Sequence, residues 1–188
     1  MSQAKLTALF ALLPEHIQMK AILDYLYELG DSAELIKAEG FFKSYCEIEG
    51  GEFIKAQGAW YLMGRAIRRH DLKRALKFYA FLEALGNSDD ILTVRAKAVY
   101  IMVDALLVEH LSAAHRLWDK FASKSPPLEA KWMCARAGLL LLKQGYRNSD
   151  RRIAKAVFQA LRNFSDAPEC RKILGQAEAI CRRQKGCA

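Results

Sequence analysis

Metal or nucleophile chemistry in this chain would have to come from its four histidines and five cysteines, and their spacing argues against both. His110 and His115 lie five residues apart, which on a helix turns them about 140° from each other. They cannot share an ion as the histidine pair of an HExxH helix does. His70 sits beside Asp71 in a turn signal with no nucleophile at a readable spacing. Cys46, Cys134, Cys170, Cys181 and Cys187 are odd in number and form no CxxC or Cys/His ligand pattern, so neither a disulfide framework nor a zinc site is indicated. A reducing cytoplasm suits such usage. A glycine-rich phosphate loop, a pair of catalytic carboxylates and a Ser/His/Asp pattern are all unrecognisable, so no metal or cofactor is implied and an enzyme is the least favoured class.

Charge is the stronger signal. The net charge is +8, and it is uneven: residues 1–64 hold 5 Lys/Arg against 9 Asp/Glu (−4), whereas residues 65–188 hold 24 against 12 (+12). Arg65, Arg68 and Arg69 fall at helical spacing and form a basic strip that Lys73, Arg74 and Lys77 extend. Such a strip suits an acidic partner, and it equally suits a solvated helix face beside Asp71 and Glu83.

These residues need elements to position them, and the composition points to helices. The 188 residues are 52% hydrophobic and 27% charged, with only 4 Pro and 11 Gly, and alternating apolar/polar runs rich in β-branched residues are missing. A helical start at Asp71 has equivalents at Asp31, His110 and Asp150, separated by 40, 39 and 40 residues. The same offsets superpose an i, i+3, i+7 stripe: Leu35, Ala38 and Phe42; Ala75, Phe78 and Leu82; Ala114, Leu117 and Phe121; Ala154, Val157 and Leu161. Preceding helices repeat too, with Met19, Leu23, Leu26 and Tyr27 matched by Ala59, Met63, Ala66 and Ile67, by Ala98, Met102, Ala105 and Leu106, and by Gly138, Leu142, Gly145 and Tyr146.

The unit is a helical hairpin. One hairpin cannot cover its own apolar face, so neighbours must stack. The expected organisation is one all-α domain over residues 1–188: a buried N-terminal helix at about 3–13 that includes the apolar run Leu6 to Leu13, four hairpins at about 15–163, and a capping helix at about 166–183 that opens at Asp166. Gly30-Asp31 with Glu34, Gly50-Gly51, Gly86-Asn87-Ser88 and Ser125-Pro126-Pro127 supply stops and starts. Charged residues interrupt every helix, so no membrane span is expected.

Residues Trp60 to Leu82 resemble a tetratricopeptide repeat. Trp60, Met63, Gly64 and Ile67 followed by Asp71-Leu72, Ala75, Tyr79 and Leu82 reproduce its W, L, G, Y, then A and F order. In that pattern small Gly64 and Ala75 let two helices approach, and large Trp60, Phe78 and Tyr79 fill the space between hairpins. Two departures stand out: the period exceeds the family's roughly 34 residues, and the turn before Asp71 is a residue short. Cys134 and Gly138 echo the motif in the fourth unit, where extra residues near Arg147 to Ser149 lengthen the turn.

What the resemblance implies is a right-handed superhelix whose concave face, lined by the first helix of each hairpin, takes a peptide or helix of a partner protein. Mapped through the alignment, its groove residues are Tyr25, Glu28, Tyr61, Arg65, Arg68, Arg69, Tyr100, Asp104 and Gln144. Tyrosine and arginine are effective anchors at interfaces, although Tyr100 also suits a core position. Trp60, Trp118 and Trp132 are expected to pack between hairpins.

The resulting expectation is a cytoplasmic protein-binding adaptor with a partly basic groove and, by analogy with other repeat proteins of this size, a small bacterial regulator or a secretion-type chaperone. The alternative is a nucleic-acid-binding protein that uses the basic residues of 65–188, with no reading motif to support it. Self-association through an exposed terminal hairpin is a third possibility.

Overall fold

The computed structural model describes residues 14–31, 35–46, 51–124 and 126–184. The expected helix at residues 3–13 lies outside them, as do Cys187 and the side chains of Met19, Tyr27 and Cys46. Among the described residues there are nine α-helices, two single-turn 3-10 segments and no strand. The helices are α1 (Glu15–Asp31), α2 (Leu35–Cys46), α3 (Glu52–Arg68), α4 (Leu72–Ala84), α5 (Asp89–Leu106), α6 (Leu111–Ala122), α7 (Leu128–Arg147), α8 (Arg151–Leu161) and α9 (Arg171–Arg183). Among the described residues no helix is long and apolar enough to cross a membrane.

The chain divides into two compact units, Met1–Gly86 and Asn87–Ala188. In the first, α1 pairs with α2 and α3 with α4, and α3 packs on both α1 and α2. Ile22, Leu26, Leu35, Ala38 and Phe42 of the first hairpin are buried with Ile54, Leu62, Met63, Ala75, Phe78 and Leu82 of the second. In the second unit α5 pairs with α6 and α7 with α8; α7 also packs on α5, α6 and α9, and α6 on α8.

Eleven of the twelve stripe positions on the second helices are buried, the exception being the half-buried Leu117. Its neighbour Trp118 takes the core place, fully buried, with its Nε1 donating to the Cys134 carbonyl at 2.8 Å. Trp118 crosses α7 at Gly138, where a methyl group would lie 2.7 Å from the indole and 2.8 Å from Leu161. On the first helices the repeat fails at Ala105, which is exposed.

Two of the turns are the same turn. At the end of α3, His70 N–H donates to the Ile67 carbonyl (2.9 Å) and Asp71 N–H to Ala66 (2.9 Å). At the end of α7, Ser149 N–H donates to Tyr146 (3.1 Å) and Asp150 N–H to Gly145 (2.8 Å). Both are the paired bonds that close a helix around a left-handed residue, and His70 and Ser149 both have φ 58°. Asp71 and Asp150 then cap the next helix, each carboxylate accepting from the N–H three residues on at 3.0 Å, Arg74 and Ile153 respectively. The expected lengthening at Arg147 to Ser149 is therefore incorrect: one αL residue and one capping aspartate complete both turns.

Other expectations shift as well. Asp31 closes α1 instead of opening α2, and Gly51 (φ 66°) precedes α3 as its N-cap. The final helix begins at Arg171, not Asp166, because Pro168 biases Ala167 to an extended conformation (ψ 117°) and a 3-10 turn intervenes. Gly64 faces open space, whereas Gly58 is the close approach, its added methyl 2.7 Å from the Phe42 ring.

Candidate functional site

Cations collect in both units, on different terms. In the first unit, Glu39 of α2 is only 8% exposed and faces three of them: Lys77 Nζ at 3.1 Å, Arg74 Nε at 3.2 Å and Lys43 Nζ at 3.5 Å. Arg74 also reaches Asp71 at 3.3 Å. Burial alone would raise the Glu39 pKa, but the Lys77 hydrogen bond and the fields of Lys77, Lys43 and Arg74 hold it below the usual glutamate value. The extension of the basic strip onto α4 is therefore largely a structural ion cluster between α2 and α4.

Arg65 and Arg68 of the strip sit on α3, with Arg69 just past its end. Arg65 Nε donates to the Tyr61 hydroxyl at 2.9 Å, and its guanidinium lies 5.4 Å from the Tyr61 ring centroid. Burial, then the neighbouring charges of Arg68 and Arg69, lower the Arg65 pKa. Arg68 and Arg69 are exposed, and Tyr61 is buried rather than groove-lining. On α1, Tyr25 is exposed with its ring edge-on to Phe41 at 4.5 Å, and Glu28 is exposed.

The second unit has a concave site of about 300 Å³ where α5, α7 and α9 meet. Leu139, Leu140 and Ile173 give it an apolar floor, and Arg136, Lys143 and Lys172 supply charge, with Glu169 as the one carboxylate. The Arg136 guanidinium stands 4.7 Å from the Trp132 ring centroid and 5.2 Å from that of Tyr100. Each contact is worth about 0.5–1 kcal/mol at an exposed site. Among the described residues no carboxylate pairs with Arg136, Lys143 or Lys172, although each retains its donors.

The α9 wall is fixed to α7. Lys131 pairs with Asp166 just before the 3-10 turn, the Tyr146 hydroxyl donates to Cys181 Sγ at 3.6 Å, and Ile173, Ala177 and Cys181 are buried. The Lys131 hydrogen bond draws the Asp166 pKa down. Burial pushes the Cys134 thiol far up, which leaves it a small apolar core residue. No cluster of three or more metal-ligating side chains occurs among the described residues.

Of the sequence-derived residues in this unit, Tyr100 lines the site, Asp104 is exposed on α5, and Gln144 donates to Asn148 at 3.1 Å. Arg136, Lys143 and Lys172 were missed. Trp132 was expected to be packing, but it is 38% exposed and carries Arg136 on its ring. The available signal was the run Trp132, Arg136, Leu139/Leu140 and Lys143 on one face of α7. Comparison with protein-family models, curated proteins and solved structures finds no match.

Proposed function

We propose that the chain is a tetratricopeptide-like scaffold that binds a segment of another protein in a groove of its second unit, lined by α5 and α7, the first helices of that unit's two hairpins, and by α9. The observation that carries this reading is the concave site on α5, α7 and α9, which combines an aromatic pair, an apolar floor and cations that no carboxylate among the described residues pairs. Successive helices packed on α7, and the identical turns at His70 and Ser149, support a repeated hairpin as the building unit. A site of this kind holds side chains from a passing segment and needs no catalytic group. Adaptor or chaperone roles follow as the cellular use of such a groove.

Selection of a random-peptide display library on the full chain tests the proposal. Enriched peptides should lose binding to an Arg136→Gln, Lys143→Gln double variant that still melts like the parent. Absence of enrichment, together with retention of single-stranded oligonucleotides at low salt, would replace it with the nucleic-acid reading.

A further inference from the structure

The groove in the second unit is specific enough to suggest what sequence it reads, granted the scaffold reading above. Along α7, Trp132, Arg136, Leu139/Leu140 and Lys143 all belong to the site, so the order of chemistry is aromatic, cation, aliphatic, cation. Seven residues separate Arg136 from Lys143, a rise of about 10.5 Å. A peptide in the polyproline II conformation turns once every three residues and advances about 3.1 Å per residue, so two of its side chains three residues apart point to the same side and span nearly the same distance.

We infer that the groove binds an acidic segment of a partner protein in the polyproline II conformation, in which two carboxylate residues three apart flank apolar residues. One carboxylate meets Arg136, one of the two intervening apolar residues rests on Leu139, Leu140 and Ile173, and the second carboxylate meets Lys143, with Lys172 adding charge from the α9 wall. Arg136 carries the larger share. Its planar fork donates two parallel hydrogen bonds to a carboxylate, and the Trp132 and Tyr100 rings already restrict its rotamers, so less side-chain freedom is lost on binding. Charge complementarity supports this occupant: three cations stand against Glu169 alone. An apolar helix face laid in the groove would leave those cations unpaired against it, at a desolvation cost.

Blocked synthetic peptides test this by calorimetry on the full chain. A peptide carrying Glu-Leu-Leu-Glu between glycine-serine flanks should bind, and the Gln-Leu-Leu-Gln version should bind about tenfold more weakly. Placing the acids side by side as Leu-Glu-Glu-Leu should cost several-fold. Arg136→Gln should weaken the parent peptide about tenfold, Arg136→Lys less, and Lys77→Gln on the first unit not at all. Equal affinity for the glutamine peptide, or indifference to Arg136→Gln in a variant with unchanged circular dichroism, would overturn the inference. So would an oligothymidylate that competes with Glu-Leu-Leu-Glu and binds more tightly. If display yields groove-dependent peptides that lack paired acids, this specificity fails while the scaffold reading stands; if display yields none, the scaffold reading itself fails.

Discussion

Glu39 and Arg136 define opposite uses of positive charge. In the first unit, three cations converge on one buried carboxylate and two of them, Arg74 and Lys77, tie α2 to α4; in the second, cations border a groove and Arg136 is held by aromatic rings instead of an anion. A run of Lys and Arg does not by itself predict a binding surface. What matters is whether the fold already supplies the counter-charge. Lys73, Arg74 and Lys77 look like the more basic surface in sequence, yet Arg74 and Lys77 are engaged by Glu39.

Substitution of Glu39 should separate the two most strongly. Glu39→Gln leaves Arg74, Lys77 and Lys43 repelling each other, and hydrogen exchange should report a loss of about 1–2 kcal/mol in the first unit, a modest figure because Lys77 and Lys43 are well exposed. Arg136→Gln should cost the second unit about 1 kcal/mol, the low end for two ring contacts, because glutamine keeps part of the apolar stem. A larger loss at Arg136 than at Glu39 would reverse the assignment of structural and open clusters.

Acid should bring out the same contrast. Because the folded Glu39 pKa lies below its unfolded value, the carboxylate stabilises the first unit above the unfolded pKa, and that contribution disappears as pH falls through the folded pKa. Hydrogen exchange across the acid range should show first-unit protection falling in the parent and a flatter profile in Glu39→Gln. Equal slopes in the two proteins would mean that Glu39 is not the group responsible.

Where the units agree, substitutions should act alike. A non-glycine residue at positive φ costs roughly 1–2 kcal/mol, and glycine's extra unfolded freedom offsets about half. His70→Gly and Ser149→Gly should therefore each stabilise their unit by about 0.5–1 kcal/mol in denaturant titration. Opposite signs would break the equivalence of the two turns. Gly64→Ala, in open space on α3, should add a similar or smaller gain from helix propensity.

Local periodicity was legible in the sequence, because a buried stripe at i, i+3, i+7 needs only one helix to be correct; Ala38, Phe78, Ala114 and Val157 are all buried. Asp71 and Asp150 were legible as starts for the same reason. The shared turn was hidden, since neither His70 nor Ser149 is the glycine that normally marks αL. The groove was hidden for a different reason. It exists only because α9 folds back onto α7, and the residue types on α7 alone do not distinguish Trp132 at a rim from Trp118 in a core.

The most direct measurement is nuclear magnetic resonance of the labelled full chain titrated with the Glu-Leu-Leu-Glu peptide. Changes should concentrate at Tyr100, the Arg136 side-chain Nε–H, Lys143 and Ile173, with the α2–α4 cluster around Glu39 unmoved. Changes centred on Arg68, Arg74 and Lys77, with the Arg136 signal fixed, would contradict the division between a closed and an open cluster.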